Sequence, residues 1–192
     1  EEIELMRQSA LIVSKTLGML AKEIKEGVTT NYLDTLAEDY IRSLGALPGF
    51  KGLYDCPSTL LCSVNEAVVH GIPTNVVFKD GDVVSIDCGT ILNGYYGDHA
   101  YTFAIGNVEK DVMDLLSVTK KSLYLGIEQA IVGKRTGDIG FAIQQYCEKE
   151  HGYSVVRELV GHGLGENLHE DPEIPNYGKK GQKVKLLENM VL

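Results

Sequence analysis

The sequence predicts a mixed α/β (α+β) fold built from two similar halves, each a pair of amphipathic helices followed by strands. Three observations carry this. Apolar residues recur at helical spacing in two pairs of segments, 2–25 with 30–44 and 109–131 with 136–150. Between the pairs lies a strand-turn-strand signature, VVSIDCGTILNGYYGDHAYTF. Sliding the sequence by 106 residues superposes the helical pairs, bringing Gly27 onto Gly133, Thr30 onto Thr136, Leu33 onto Ile139 and Tyr40 onto Tyr146.

The first helix places Leu5, Ile12, Leu17, Leu20 and Ile24 on one face. The second and fourth each begin at a Thr three residues after a Gly, so Thr30 and Thr136 are the expected N-caps. After the first pair, residues 83–88 form an apolar, β-branched run behind the turn-like Lys79-Asp80-Gly81-Asp82. Residues 95–105 form a second strand rich in Tyr, Phe and Thr, and Asn93-Gly94 between them is a strong hairpin signal. Each half also holds a His-Gly step, His70-Gly71 and His162-Gly163. No linker or low-complexity stretch divides the halves, so residues 1–192 are expected to form a single domain with its site between them.

With Asn93 and Gly94 as the central turn residues, Leu92 faces Tyr95 and Asp87 faces Ala100. Asp98 then becomes the diagonal neighbour of Asp87 on the same face. A register one residue away would set the acids opposite each other, so the Cβ atoms lie roughly 5–8 Å apart either way. Such a pair can be the wet face of a half-solvated sheet. Here, however, Asp87 ends the run Val83-Val84-Ser85-Ile86, and an unpaired carboxylate is costly to bury there. A divalent cation, or two about 3.5–4 Å apart sharing a carboxylate, would remove that cost.

Three of the five histidines lie in segments punctuated by Gly or Pro: His70 in VVHGIP, His162 in GHGLG and His169 in LHEDP. Such loops are where functional side chains are commonly mounted. His162 and His169 can converge only if the chain turns between them, which Gly163 and Gly165 permit. His151 closes a helix and reads as structural; His99 follows Asp98 and points to the other face of the strand.

VVHGIP, SIDCGT, GYYGDHAYTF, GHGLG and LHEDPEIPNYG, in this order and spacing, resemble the type I methionine aminopeptidases, metallopeptidases of the pita-bread fold. The resemblance implies two pseudo-symmetric αα-ββ halves around a curved antiparallel sheet. It implies Asp87, Asp98 and His162 as metal ligands, and His70 and His169 as catalytic residues that contact the substrate. Tyr54, Cys56 and Leu61 are implied as further substrate-binding residues, walling an apolar methionine pocket. The cofactors implied are two divalent metal ions, Co, Mn, Fe or Zn, a choice the ligand types leave open. The implied substrates are nascent or newly made polypeptides with an N-terminal methionine and a small second residue.

One departure from the family pattern is large. The family completes its site with two glutamates further downstream, one of them in a strand that follows an NMVL-like segment and one of the two its general base, and this sequence ends within Asn189-Met190-Val191-Leu192. The expectation is therefore a catalytic domain lacking its C-terminal strands, with three of five ligands and little activity. A smaller departure is Leu168, where the family often has an aromatic.

Composition is compatible with this and excludes other classes. With 18 basic and 27 acidic residues, a net charge of −9 and no basic stripe, a nucleic-acid partner is not expected. No apolar run approaches the ~18 residues of a membrane span. The four cysteines lack CxxC spacing and read as reduced thiols of a cytoplasmic protein, taken here as a monomer. The alternatives are an Xaa-Pro dipeptidase or aminopeptidase of the same fold, a peptide-binding relative without catalysis, or an inactive structural piece.

Overall fold

A computed structural model describes all residues, Glu1–Leu192. The chain forms two compact units, the first of residues 1–109 with 165–168, the second of 110–164 with 169–192.

In the first unit, helices α1 (Glu2–Leu20) and α2 (Thr30–Ser43) cover an antiparallel sheet. Ser9, Ile12, Val13, Thr16, Leu17 and Leu20 are the buried residues of α1, at the three- and four-residue steps of one helix face. The sheet is centred on β3 (Val83–Leu92), paired on one side with β4 (Tyr95–Ala104). Its other side pairs with β1 (Leu47–Pro48) near one end and β2 (Leu60–Val64) near the other. Val84, Ile86 and Cys88 of β3, with Leu60 and Cys62 of β2, join Leu33, Ala37 and Ile41 of α2 in one apolar core. The β3–β4 hairpin has the expected register: Leu92 opposite Tyr95, and Asp87 opposite Ala100. Asn93 and Gly94 both have positive φ, 52° and 85°, the combination an Asn-Gly type I′ turn requires.

The second unit has helices α3 (Lys110–Ile127) and α4 (Thr136–Gln144), a single π-helical turn over Gln145–Glu150, and a short ladder of β5 (Gly161–Gly163) with β6 (Glu170–Ile174). His151 closes the π turn and packs edge-on against Tyr146, with centroids 4.5 Å apart. No helix is long and apolar enough to cross a membrane.

The internal repeat is written in the backbone. Gly27 and Phe78 each donate to the other's neighbourhood, through Gly27 N–H to Phe78 O and Phe78 N–H to Val28 O. Gly133 N–H to Leu186 O and Leu186 N–H to Lys134 O repeat the pattern. The Asn31–Thr74 bond has its counterpart in Gly137–Gln182. Gly27 and Gly133 share a left-handed φ, 84° and 93°.

Three expectations are corrected. The first helix ends at Leu20 rather than residue 25, because Lys22 and Glu23 donate to carbonyls three residues back and tighten the chain out of the α-helix. The third ends at Ile127 rather than 131 in the same way, through Gln129 and Ala130. The caps lie one residue earlier than expected. Thr29 accepts from Tyr32 N–H at 3.1 Å and caps α2, whereas the Thr30 hydroxyl bonds the backbone of Thr74. Arg135 occupies the equivalent place before α4, its N–H held by Asp138 at 2.8 Å.

Candidate active site

Strand alternation divides β3 cleanly. Val84, Ile86, Cys88 and Thr90 are buried, and Ser85, Asp87 and Gly89 face the other way. On that second face Ser85 and Thr102 share a hydroxyl hydrogen bond of 2.7 Å across the β3–β4 ladder. Two residues further on, Asp87 pairs with Ala100 and Gly89 with Asp98, so the two acids are diagonal neighbours. Their carboxyls are hydrogen-bonded to each other. Leu61 of β2 stands opposite Asp87 on its other side.

This environment opposes a double negative charge. Burial, then the charge of Asp98 and the hydrogen bond to it, push the Asp87 carboxyl up to about 7. The charge of His70 and the Cys88 backbone N–H act in the opposite sense. Burial also raises Asp98, against the hydrogen bonds from Asp87 and the His99 backbone. The pair therefore holds a proton, or a cation in its place. Two half-buried carboxylates hydrogen-bonded to each other are a hard-oxygen donor set suited to a divalent ion. No group of three or more His, Cys, Asp and Glu side chains forms a cage for a metal ion.

His70 is exposed at φ 60°, a left-handed backbone that His, like Asn and Asp, adopts more readily than most non-glycine residues. Gly71 explains how it is held. Its N–H donates to Ser63 Oγ at 3.1 Å and its carbonyl accepts from Cys62 N–H at 2.6 Å. A Cβ on Gly71 would come within 2.2 Å of Cys62 O, so only glycine lets this loop lie against β2.

In the second unit, antiparallel pairing of Gly163 with Glu170 folds the chain back and brings His162 and His169 together. Their rings meet edge to face, 4.5 Å between centroids. His162 Nδ1 lies 2.9 Å from Gly163 O. A carbonyl only accepts, so Nδ1 donates in this contact, and in a neutral ring that leaves the lone pair on Nε2.

The remaining candidates lie on residues 49–61. Leu53–Asp55 is one 3₁₀ turn in which Tyr54 and Asp55 have φ 49° and 61°. Tyr54 is 80% exposed; Cys56 and Leu61 are half-buried, and the Cys56 thiol reaches Ser58 O at 3.5 Å. Cys62 and Cys88 lie on the opposite, core face. Burial drives the Cys62 thiol to about 12 and Cys88 upward too, so neither offers a thiolate to the site.

Residues 4–192 match the family of metallopeptidases M24, and the chain belongs to that family. It is 52% identical to a methionine aminopeptidase of Clostridium acetobutylicum, over all of this chain and 76% of that protein. Its fold superposes on the crystal structure of methionine aminopeptidase from Rickettsia prowazekii with a TM-score of 0.96 at 39% identity, over 98% of this chain and 76% of that one. A prolidase from Pyrococcus furiosus gives a TM-score of 0.84 at 23% identity, over 98% of this chain and 53% of that one, a likeness of fold alone. The fold is the pita-bread fold expected from the motifs.

Proposed function

We propose that the protein is a metal-dependent aminopeptidase that removes the N-terminal methionine from nascent or newly made polypeptides whose second residue is small. The observation that supports this best is the Asp87–Asp98 pair, two hydrogen-bonded acids on one half-buried sheet face. In this reading Asp87, Asp98 and His162 are ligands of two divalent ions, Mn, Co, Fe or Zn, with His162 Nε2 as the donor nitrogen. When bound, such ions supply a water acidic enough to attack at neutral pH and polarise the scissile carbonyl.

The rest falls to side chains. His70 and His169 donate hydrogen bonds to the substrate backbone and to the oxygen that gains charge in the transition state. Tyr54, Cys56 and Leu61 form an apolar wall for the methionine side chain, which orients the N-terminal residue. The protein acts as a cytoplasmic monomer on polypeptide N-termini, without nucleic acid or membrane.

The test is release of methionine from Met-Ala peptides during titration with Mn or Co, by a chain that also carries the two glutamates the resemblance implies, alongside peptides with a bulky second residue and Xaa-Pro dipeptides. Metal-dependent release from Met-Ala alone is expected. Cleavage of the Xaa-Pro substrates without methionine release would overturn the reading.

Proton and metal compete for Asp87, which gives a pH dependence of known sign. The folded-state value is raised from 3.8 to about 7, so below pH 7 the carboxyl must lose a proton before it can bind a cation. Apparent metal affinity is expected to fall by roughly tenfold per pH unit below 7. Metal-free protein should lose stability as pH rises from about 4 to about 7, because the fold disfavours the ionised form, and metal should restore it. Isothermal titration and thermal melts between pH 5 and 8 check both.

A further inference from the structure

Asp34 and Glu38 stand one turn apart on α2, far in sequence from any motif of the site, and both reach the segment 51–60. Asp34 Oδ1 accepts the Leu60 N–H at 2.7 Å, and its carboxylate also bonds the Thr59 backbone. Glu38 Oε2 accepts from Lys51 Nζ at 2.6 Å and from Thr59 Oγ1 at 3.3 Å. Its Oε1 is held by Arg42 Nε and Nη2 at 3.0 and 2.8 Å. Two carboxylates of one helix thus grip the start and the end of a single arch.

The position of that arch gives the grip a purpose. β1 and β2 share one side of β3, and the chain between them leaves the sheet at the level of the acid pair. Gly49 N–H donates to Gly89 O at 2.8 Å, and Gly89 is the residue opposite Asp98. Phe50 is buried against Gly89, where a Cβ would strike its ring at 2.5 Å. At the far end, Leu60 pairs with Cys88 and Leu61 with Asp87. The arch therefore begins beside one acid's partner and ends beside the other acid. It also needs holding: Gly52, Tyr54 and Asp55 all have left-handed φ, two of them without glycine's freedom. Within the arch, three backbone bonds tie Phe50, Gly52, Leu53 and Cys56 to one another.

We propose that Asp34 and Glu38 are positioning residues for the substrate, clamping the arch that carries Tyr54 and Cys56 so that its wall fits a methionine side chain beside the acid pair. The proposal rests on the reading of Tyr54, Cys56 and Leu61 as the pocket wall. Neither carboxylate touches substrate. The clamp sets where the wall stands, and so governs binding of the first residue more than the chemical step.

Lys51→Ala breaks the clamp from its exposed end without disturbing the core; Glu38→Ala breaks it at the helix. Each is expected to raise KM for a Met-Ala peptide roughly tenfold while kcat and metal content stay within about twofold of the parent. The double variant should be no worse than Glu38→Ala alone, because that substitution already removes the Lys51 contact together with those to Thr59 and Arg42. The charge swap Glu38→Lys with Lys51→Glu should recover part of the lost KM, which a merely structural defect would not. Unchanged KM in Lys51→Ala and Glu38→Ala, with Cys56→Ala and Leu61→Ala still raising it, would overturn the clamp and leave the pocket reading standing. Unchanged KM in all four would overturn both. A fall in kcat and metal content matching the rise in KM would show general loss of structure and also overturn the proposal.

Discussion

Asp98→Asn, in a chain that also carries the two glutamates the resemblance implies, is expected to abolish stoichiometric metal binding and to lower kcat/KM by about 10³-fold or more, about 4 kcal/mol of transition-state stabilisation. The side chain keeps its size and its hydrogen-bonding capacity toward Asp87, so the hairpin register is preserved. It loses the charge that makes the pair a cation site. For the same reason the cost to folding should be slight. Asn removes the repulsion that helps raise Asp87, and the melting temperature of the metal-free protein should stay level or rise. Metal content by elemental analysis, turnover and a thermal melt on one preparation distinguish the outcomes. Normal metal content with near-normal turnover would remove Asp98 from the ligand set; a large drop in melting temperature would make it a structural residue.

The acid pair was legible because its geometry depends on short-range rules. Asn93-Gly94 dictates the turn, the turn dictates the register, and strand alternation then puts Asp87 and Asp98 on one face. The meeting of His162 and His169 was legible for a similar reason, since glycines around a seven-residue step allowed only a reversal to bring them together. The duplication was readable as a shift of the helical pattern, and the matched Gly27–Phe78 and Gly133–Leu186 bonds give it a backbone meaning.

What escaped depends on contacts distant in sequence. Asp34 and Glu38 look like ordinary polar positions of an amphipathic helix, and only Leu60 and Lys51, 26 and 13 residues away, give them their work. The left-handed backbone at Tyr54 has no local signal either, because a Tyr enters that region only when its surroundings impose it. Helix ends were overestimated where apolar periodicity continued through turns of tighter pitch, as at Ile24. Periodicity registers which face a residue occupies and is insensitive to how its backbone is bonded.

Replacing His70 by Ala should lower kcat by about 10²-fold to 10³-fold while metal content stays intact, the pattern of a donor that acts mainly in the transition state. The residue is suited to such work: it is exposed, and Gly71 pins the loop against β2 immediately behind it. Its left-handed φ of 60° complicates the alanine variant, which could lose activity through backbone strain alone. His70→Asn separates the two effects, because Asn tolerates this conformation yet cannot place a donor where the imidazole does. Equal losses of kcat in both variants, with the fold and metal retained, are expected. A second readout is independent of turnover. The charge of His70 holds Asp87 below the value that burial and Asp98 would otherwise impose. Its removal should therefore shift the midpoint of the pH-dependent metal binding upward. Loss of metal along with rate would make His70 a ligand; an unmoved midpoint and an unchanged kcat would leave it no part in the site.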